Sequence, residues 1–175
     1  NRFIINVQPE QREPVREFFA GKGLEKPDLL PMVRGRLVSI NGRPVIAADY
    51  EEERAQRLVE REFNLSWMAD LPEGNSLTAG KWFAPQDGDR PQFSVEQGLA
   101  DTLRLKLNDT LVYEIAGRRL EAKITSLRKL DWDSMHVNFF VVTPPGVLEP
   151  FPTSYITSFH LPPDRAGFVG DLVAA

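Results

Sequence analysis

The stretch from Asp109 to Leu127 reads DTLVYEIAGRRLEAKITSL. Leu111–Ile115 and Leu120–Leu127 alternate apolar and polar residues and meet at Gly117, with Asn108-Asp109 turning the chain into the first arm. That is a β-hairpin with one buried face, and it makes the middle of the chain a β region. Upstream, Ser94 with Gln97 reads as a capping box opening a helix whose apolar side is Leu99, Leu103 and Leu105. Residues 70–92 are rich in Pro, Gly, Asp and Asn and read as mostly loop. Phe63, Leu65 and Trp67 alternate as a strand. Before them, Asp49 with Glu52 gives a second capping box, for a helix carrying Tyr50, Ala55, Leu58 and Val59. Met32–Ile40 is a strand, and Asn41-Gly42 is a two-residue hairpin turn returning through Pro44-Val45-Ile46.

The two ends of the chain resemble each other. Phe3–Val7 reads as a strand, Pro9-Glu10 as a helix start, and Val15, Phe18 and Phe19 as one apolar stripe ended by Gly21 and Gly23. At an offset of 154 residues, Tyr155–Leu161 is a strand, Pro162-Pro163-Asp164 a helix start, and Phe168, Val169, Leu172 and Val173 a stripe at the same spacing. A true repeat would place two βα units side by side in one lobe, with residues 47–150 inserted as a mostly β lobe; two unrelated amphipathic helices would give the same pattern. Val137–Val142, a continuous apolar run, reads as a strand buried on both faces.

The 175 residues suit one domain or two small lobes. With 21 basic and 25 acidic side chains the net charge is −4, which argues against a nucleic-acid partner. No run of 18 apolar residues occurs. The absence of cysteine excludes thiol catalysis, disulfides and cysteine-ligated zinc. The two histidines, His136 and His160, leave little for a metal site or a triad, and no phosphate-loop or nucleophile-elbow motif is present. The chain starts at Asn1 and stops just after an apolar helical pattern, so it reads as a piece of something longer.

Chemistry-bearing clusters are few. Asp131-Trp132-Asp133-Ser134-Met135-His136 places two carboxylates near an imidazole, which could ligate a metal or act as acid and base. The same run equally suits a loop whose aspartates make turn bonds. Asp87-Gly88-Asp89 reads as a turn, and Arg34, Arg36 and Arg43 as solvated strand residues or a basic patch. The loop Pro144–Pro152 displays Val147, Leu148 and Phe151 among prolines. Stiff apolar loops suit contact with a partner or lipid, or else cap the domain's own core. Val147, Leu148, Phe151 and Trp132 are the candidate contact residues. No catalytic, metal-binding or cofactor-binding residue is assigned, and no cofactor is expected.

Several long stretches carry a family resemblance. They are Met32-Val33-Arg34-Gly35-Arg36, the run Arg61-Glu62-Phe63-Asn64-Leu65-Ser66-Trp67, Gly98–Leu111, and Thr125–Leu161 with its Asn138-Phe139-Phe140-Val141-Val142 and Pro144-Pro145-Gly146. Together they resemble the FtsX/MacB-like permease subunits of ABC transporters, the large permeases of the YbbP type above all. The resemblance implies an α+β extracytoplasmic domain strung between transmembrane helices of a bacterial inner-membrane protein, lying in the periplasm. It implies a porter-like βα-repeat lobe made by both chain ends (1–46 and 150–175) and an inserted β-rich lobe (47–149). The partners implied are the membrane-embedded remainder of the permease, a separate cytoplasmic ATPase and a periplasmic lysophospholipase-like esterase. The expected function is non-catalytic. Cytoplasmic ATP hydrolysis is coupled to handling of lipid, lipoprotein or other hydrophobic cargo, or to a periplasmic partner. The alternative is a structural domain that tethers an esterase or cell-wall factor.

Overall fold

The structure, a computed structural model, describes residues 2–21, 29–131 and 138–159. It is a mixed α and β chain with few helical turns and a sheet-rich core, and it divides into two compact units.

The first unit draws its described residues from the two ends of the chain. Strand β1 (Arg2–Val7) pairs antiparallel with β10 (Ser154–Phe159), with Val7 opposite Tyr155. A single 3-10 turn, Pro9–Gln11, leads into helix α1 (Arg12–Gly21). Proline fits there because the first turn has no use for its missing N–H. Arg12 donates to the Tyr155 hydroxyl at 2.8 Å and its guanidinium lies 4.7 Å from the centre of the Tyr155 ring, fastening helix to strand. The second helix expected in this region, with the offset repeat built on it, lies outside the described residues, as do His160 and the segment Trp132–Val137.

The second unit runs from Met32 to Pro152. Its strands are β2 (Leu30–Ile40), β3 (Arg43–Pro44), β4 (Phe63–Trp67), β5 (Asn75–Gly80), β6 (Gln92–Glu96), β7 (Thr110–Ile115), β8 (Arg118–Leu130) and β9 (Val141–Thr143). The ladders close on themselves. β2 pairs with β4, β4 with β9, β9 with β6, β6 with β8, β8 with β7, and β7 with β2. This is a small six-stranded ring of mixed polarity, with parallel pairs at β4–β9 and β6–β8. β5 continues along the edge of the long strand β8 beyond β7. Closing a ring of so few strands requires sharp bends. β2 changes partner between Gly35 and Arg36, its first part pairing with β4 and its last part with β7, and it carries a register shift between Leu37 and Ser39 within the β7 pairing. At the crossing stands Gly35, where a Cβ would come within 2.9 Å of Ile115 Cγ1.

The ring encloses the core. Val33, Leu65, Phe93, Val95, Leu111, Ile124 and Val141 are fully buried, and the rings of Phe63 and Phe93 stand edge-on to Tyr113 at 5.7 and 5.5 Å. Helix α2 (Glu53–Glu60) seals the ring with Ala55, Leu58 and Val59, and helix α3 (Gln97–Leu103) with Leu99, Ala100 and Leu103.

Four local expectations are corrected. Asp49 does not cap α2: residues 47–49 form their own 3-10 turn, and the residue before the helix, Glu52, makes no side-chain cap bond. Ser94 is not a cap either. It is a buried residue of β6, and Glu96 caps α3, its carboxylate accepting from the backbone of Gly98 at 2.8 Å and Leu99 at 2.7 Å. Residues 70–92 are mostly loop as expected, but they also hold a strand that was not expected, β5, whose ladder to β8 supplies what its weak strand propensity lacks. Of the strand expected at 137–142, Val137 lies outside the described residues, Val141 and Val142 belong to β9, and residues 138–140 lead into it without strand pairing, the carbonyls of Phe139 and Phe140 accepting from Arg128.

Candidate functional site

The expected contact loop is held on the β-rich unit. Val147 and Leu148 sit in the core, at 7% and 0% exposure, and Phe151 is half-buried against it. Arg118, at the start of β8, donates to the Pro150 carbonyl at 3.0 Å and stacks 4.4 Å from the centre of the Phe151 ring. Trp132, the fourth expected contact residue, lies outside the described residues. Of the Asp131–His136 cluster only Asp131 is described; its backbone N–H donates to the Gly74 carbonyl at 2.8 Å. Asp87 serves its turn, accepting from the Ala84 N–H and the Gln92 amide, each at 3.2 Å. The Ala84 bond first, then that of Gln92, holds its carboxyl below the usual range. No three metal-ligating side chains converge among the described residues.

Two polar features escaped the sequence reading. The first is Arg128, 1% exposed, on the inward face of β8. It donates to Ser94 Oγ at 2.8 Å, Asn75 Oδ1 at 2.7 Å, and the Phe139 and Phe140 carbonyls at 3.0 Å each. Burial lowers its pKa to about 10, against the opposing pull of the Glu96 carboxylate, so it stays charged at neutral pH. Ser126 completes the cluster, donating to Ser94 Oγ at 2.7 Å. With its hydrogen bonds made inside the fold, the cluster is structural: it ties β8, β5 and β6 to the segment entering β9. A signal was present. Leu120, Ala122, Ile124, Ser126, Arg128 and Leu130 share one face of an alternating strand, and the first three are plainly core residues.

The second is a cleft of about 330 Å³ between the β2–β3 hairpin and the end of α3. Such a volume falls at the small end of the roughly 300–1,000 Å³ typical of small-molecule sites. Ile40, Pro44, Val45 and Ile46 form an apolar wall, and Arg43, Arg104 and Asp49 supply charge. Ile46 is 52% exposed. Tyr50 lies at the floor, its hydroxyl donating to the Leu103 carbonyl at 3.3 Å. Burial raises the Tyr50 pKa, Arg104 and Arg43 oppose it, and Asp49 adds to it. Arg104 follows α3 in the left-handed conformation, φ 59° and ψ 45°. Its guanidinium sits 5.1 Å from the centre of the Tyr50 ring and donates to the Asp49 carbonyl at 3.2 Å. Of the three arginines read as a basic patch, Arg43 lines this cleft, while Arg36 donates to the Glu60 carbonyl at 3.3 Å and Arg34 is exposed on β2.

No helix among the described residues is long and apolar enough to cross a membrane. Comparison with known proteins finds no matching family model and no matching solved structure. One curated protein of Escherichia coli (strain K12), named "Uncharacterized ABC transporter permease YbbP", is 37% identical over 160 residues. The alignment takes in 91% of this chain and 19% of that protein, so the chain spans about a fifth of its relative's length. Over nearly all of its length, the chain is thus similar to one segment of an ABC transporter permease.

Proposed function

We propose that this chain is the extracytoplasmic domain of an ABC transporter permease, set in the periplasm between membrane-spanning segments. The observation that carries this reading is the 37% identity running through 91% of the chain. In this reading the domain is non-catalytic. It transmits cytoplasmic ATP hydrolysis by a separate ATPase to a hydrophobic cargo or a periplasmic partner through a conformational change of the permease. The loop from Pro144 to Pro152 would take part through Phe151, which keeps accessible surface, whereas Val147 and Leu148 hold the loop on the core.

The absence of cysteine from the chain gives a direct test. Arg119→Cys, at an exposed position of β8, would be introduced into the full-length permease and intact spheroplasts treated with a membrane-impermeant maleimide. Labelling above the parent protein's background before lysis is expected. Labelling only after lysis would place this segment in the cytoplasm and refute the proposal.

A further inference from the structure

We propose that the cleft between the β2–β3 hairpin and the end of α3 binds a small amphiphile carrying one acidic head group, carboxylate or phosphate, with Arg43 and Arg104 on the head and Ile40, Val45 and Ile46 on the tail. The inference stands on the cleft itself and does not depend on the transport reading.

Charge is the first argument. The chain as a whole is net −4, yet the cleft is lined by two arginines and one aspartate. Among the described residues neither arginine has a carboxylate within ion-pair distance. Arg104 spends one donor on the Asp49 carbonyl and lays its flat face on Tyr50. A guanidinium has five N–H donors in a fixed fork, so an edge is left to meet an anion in the two-bond geometry that carboxylate and phosphate share.

Backbone conformation is the second argument. The position after a helix that adopts left-handed φ and ψ is ordinarily glycine or asparagine, because other side chains are strained there. Here it is Arg104, at φ 59°. Strain held at one residue by its surroundings is a feature of binding sites. The conformation is what lets the Arg104 side chain fold back over Tyr50, at the floor of the cleft.

Third, Ile46 is 52% exposed beside the half-buried Ile40 and Val45. An anion site alone has no use for that wall, whereas an acyl or alkyl tail would cover it.

Calorimetric titration of the chain with sodium octanoate, octyl phosphate, octyl glucoside and inorganic phosphate, each below micelle formation, tests this. One site per chain is expected for octanoate and octyl phosphate, with octyl glucoside and inorganic phosphate weaker by about tenfold or more. The order of the first two tells a fatty-acid head from a phosphate-ester head. Arg43→Gln, Ile46→Ser and Arg104→Gly should each weaken octanoate and octyl phosphate by about tenfold while the chain stays folded. Arg104→Gly is the decisive variant, since glycine suits that backbone and its melting temperature should hold or rise. Amide shifts on octanoate addition should cluster at residues 40–50 and 103–105. No binding, equal binding of octyl glucoside or of inorganic phosphate, or unchanged affinity in the folded variants would overturn the proposal.

Discussion

At the scale of single residues, the buried arginine on β8 has the largest consequence. Arg128 donates to two backbone carbonyls, an amide oxygen and a serine hydroxyl from a nearly fully buried position. Arg128→Met keeps much of the volume but removes the donors that the guanidinium brings to these groups, and Ser126 and the Glu96 N–H replace them only at Ser94 Oγ and the Phe140 carbonyl. It should destabilise the fold by about 3–5 kcal/mol, read as a fall in the urea midpoint at unchanged slope. Asp109 offers a test by pH. Burial acts to raise its carboxyl, but is outweighed by the Asn41 amide at 3.0 Å, the Lys106 backbone N–H at 2.9 Å and the Lys106 charge, so its pKa is lowered. A carboxylate whose pKa is lower folded than unfolded adds stability above its unfolded value of about 3.9, and that gain is lost as pH falls through the folded value. Asp109→Asn should therefore lower the melting temperature at pH 7 and flatten its dependence on pH below about 4. The same carboxylate joins the Asn41-Gly42 turn to the start of β7, because Asn41 in turn accepts from the Thr110 N–H at 2.8 Å.

At the scale of elements, the proline-rich loop behaves as part of the wall of the ring. Leu148→Ala should cost about 2–5 kcal/mol in a denaturation experiment, since a fully buried leucine leaves a cavity that a loop stiffened by prolines cannot collapse to fill. A loss below about 1 kcal/mol would mean that the loop lifts away from the core in solution. Which elements could be read beforehand follows from where their information lies. The β7–β8 hairpin was legible because its turn, Ala116-Gly117 at φ 50° and 82°, and its alternation are both local. Asn41-Gly42, at φ 52° and 80°, was legible for the same reason. β5 was not. Its residues Asn75–Gly80 have little strand preference, and they are extended because β8 runs past β7 and offers a free edge. The two capping boxes misled because serine and aspartate serve buried networks and turns as readily as caps. The cleft was equally hidden, since the left-handed turn at Arg104 is a product of packing.

At the scale of the whole molecule, the ring of β2, β4, β9, β6, β8 and β7 uses strands drawn only from Leu30 to Thr143. Residues 32–152 expressed alone should therefore unfold in one cooperative transition, with coincident circular dichroism and fluorescence curves. Non-coincident curves would show that the ring needs the chain ends to form. The circular order of the strands also dictates timing. β4 leaves the ribosome before its parallel neighbour β9, which follows roughly 80 residues later, about 4–16 s at ordinary synthesis rates. β6 likewise waits for β8. Until Thr143 has been made, several strands carry open edges and no arrangement of them is complete. Closure of the ring is therefore a late event that synthesis itself schedules, since the strand that completes the circle is also the last of the six to be made.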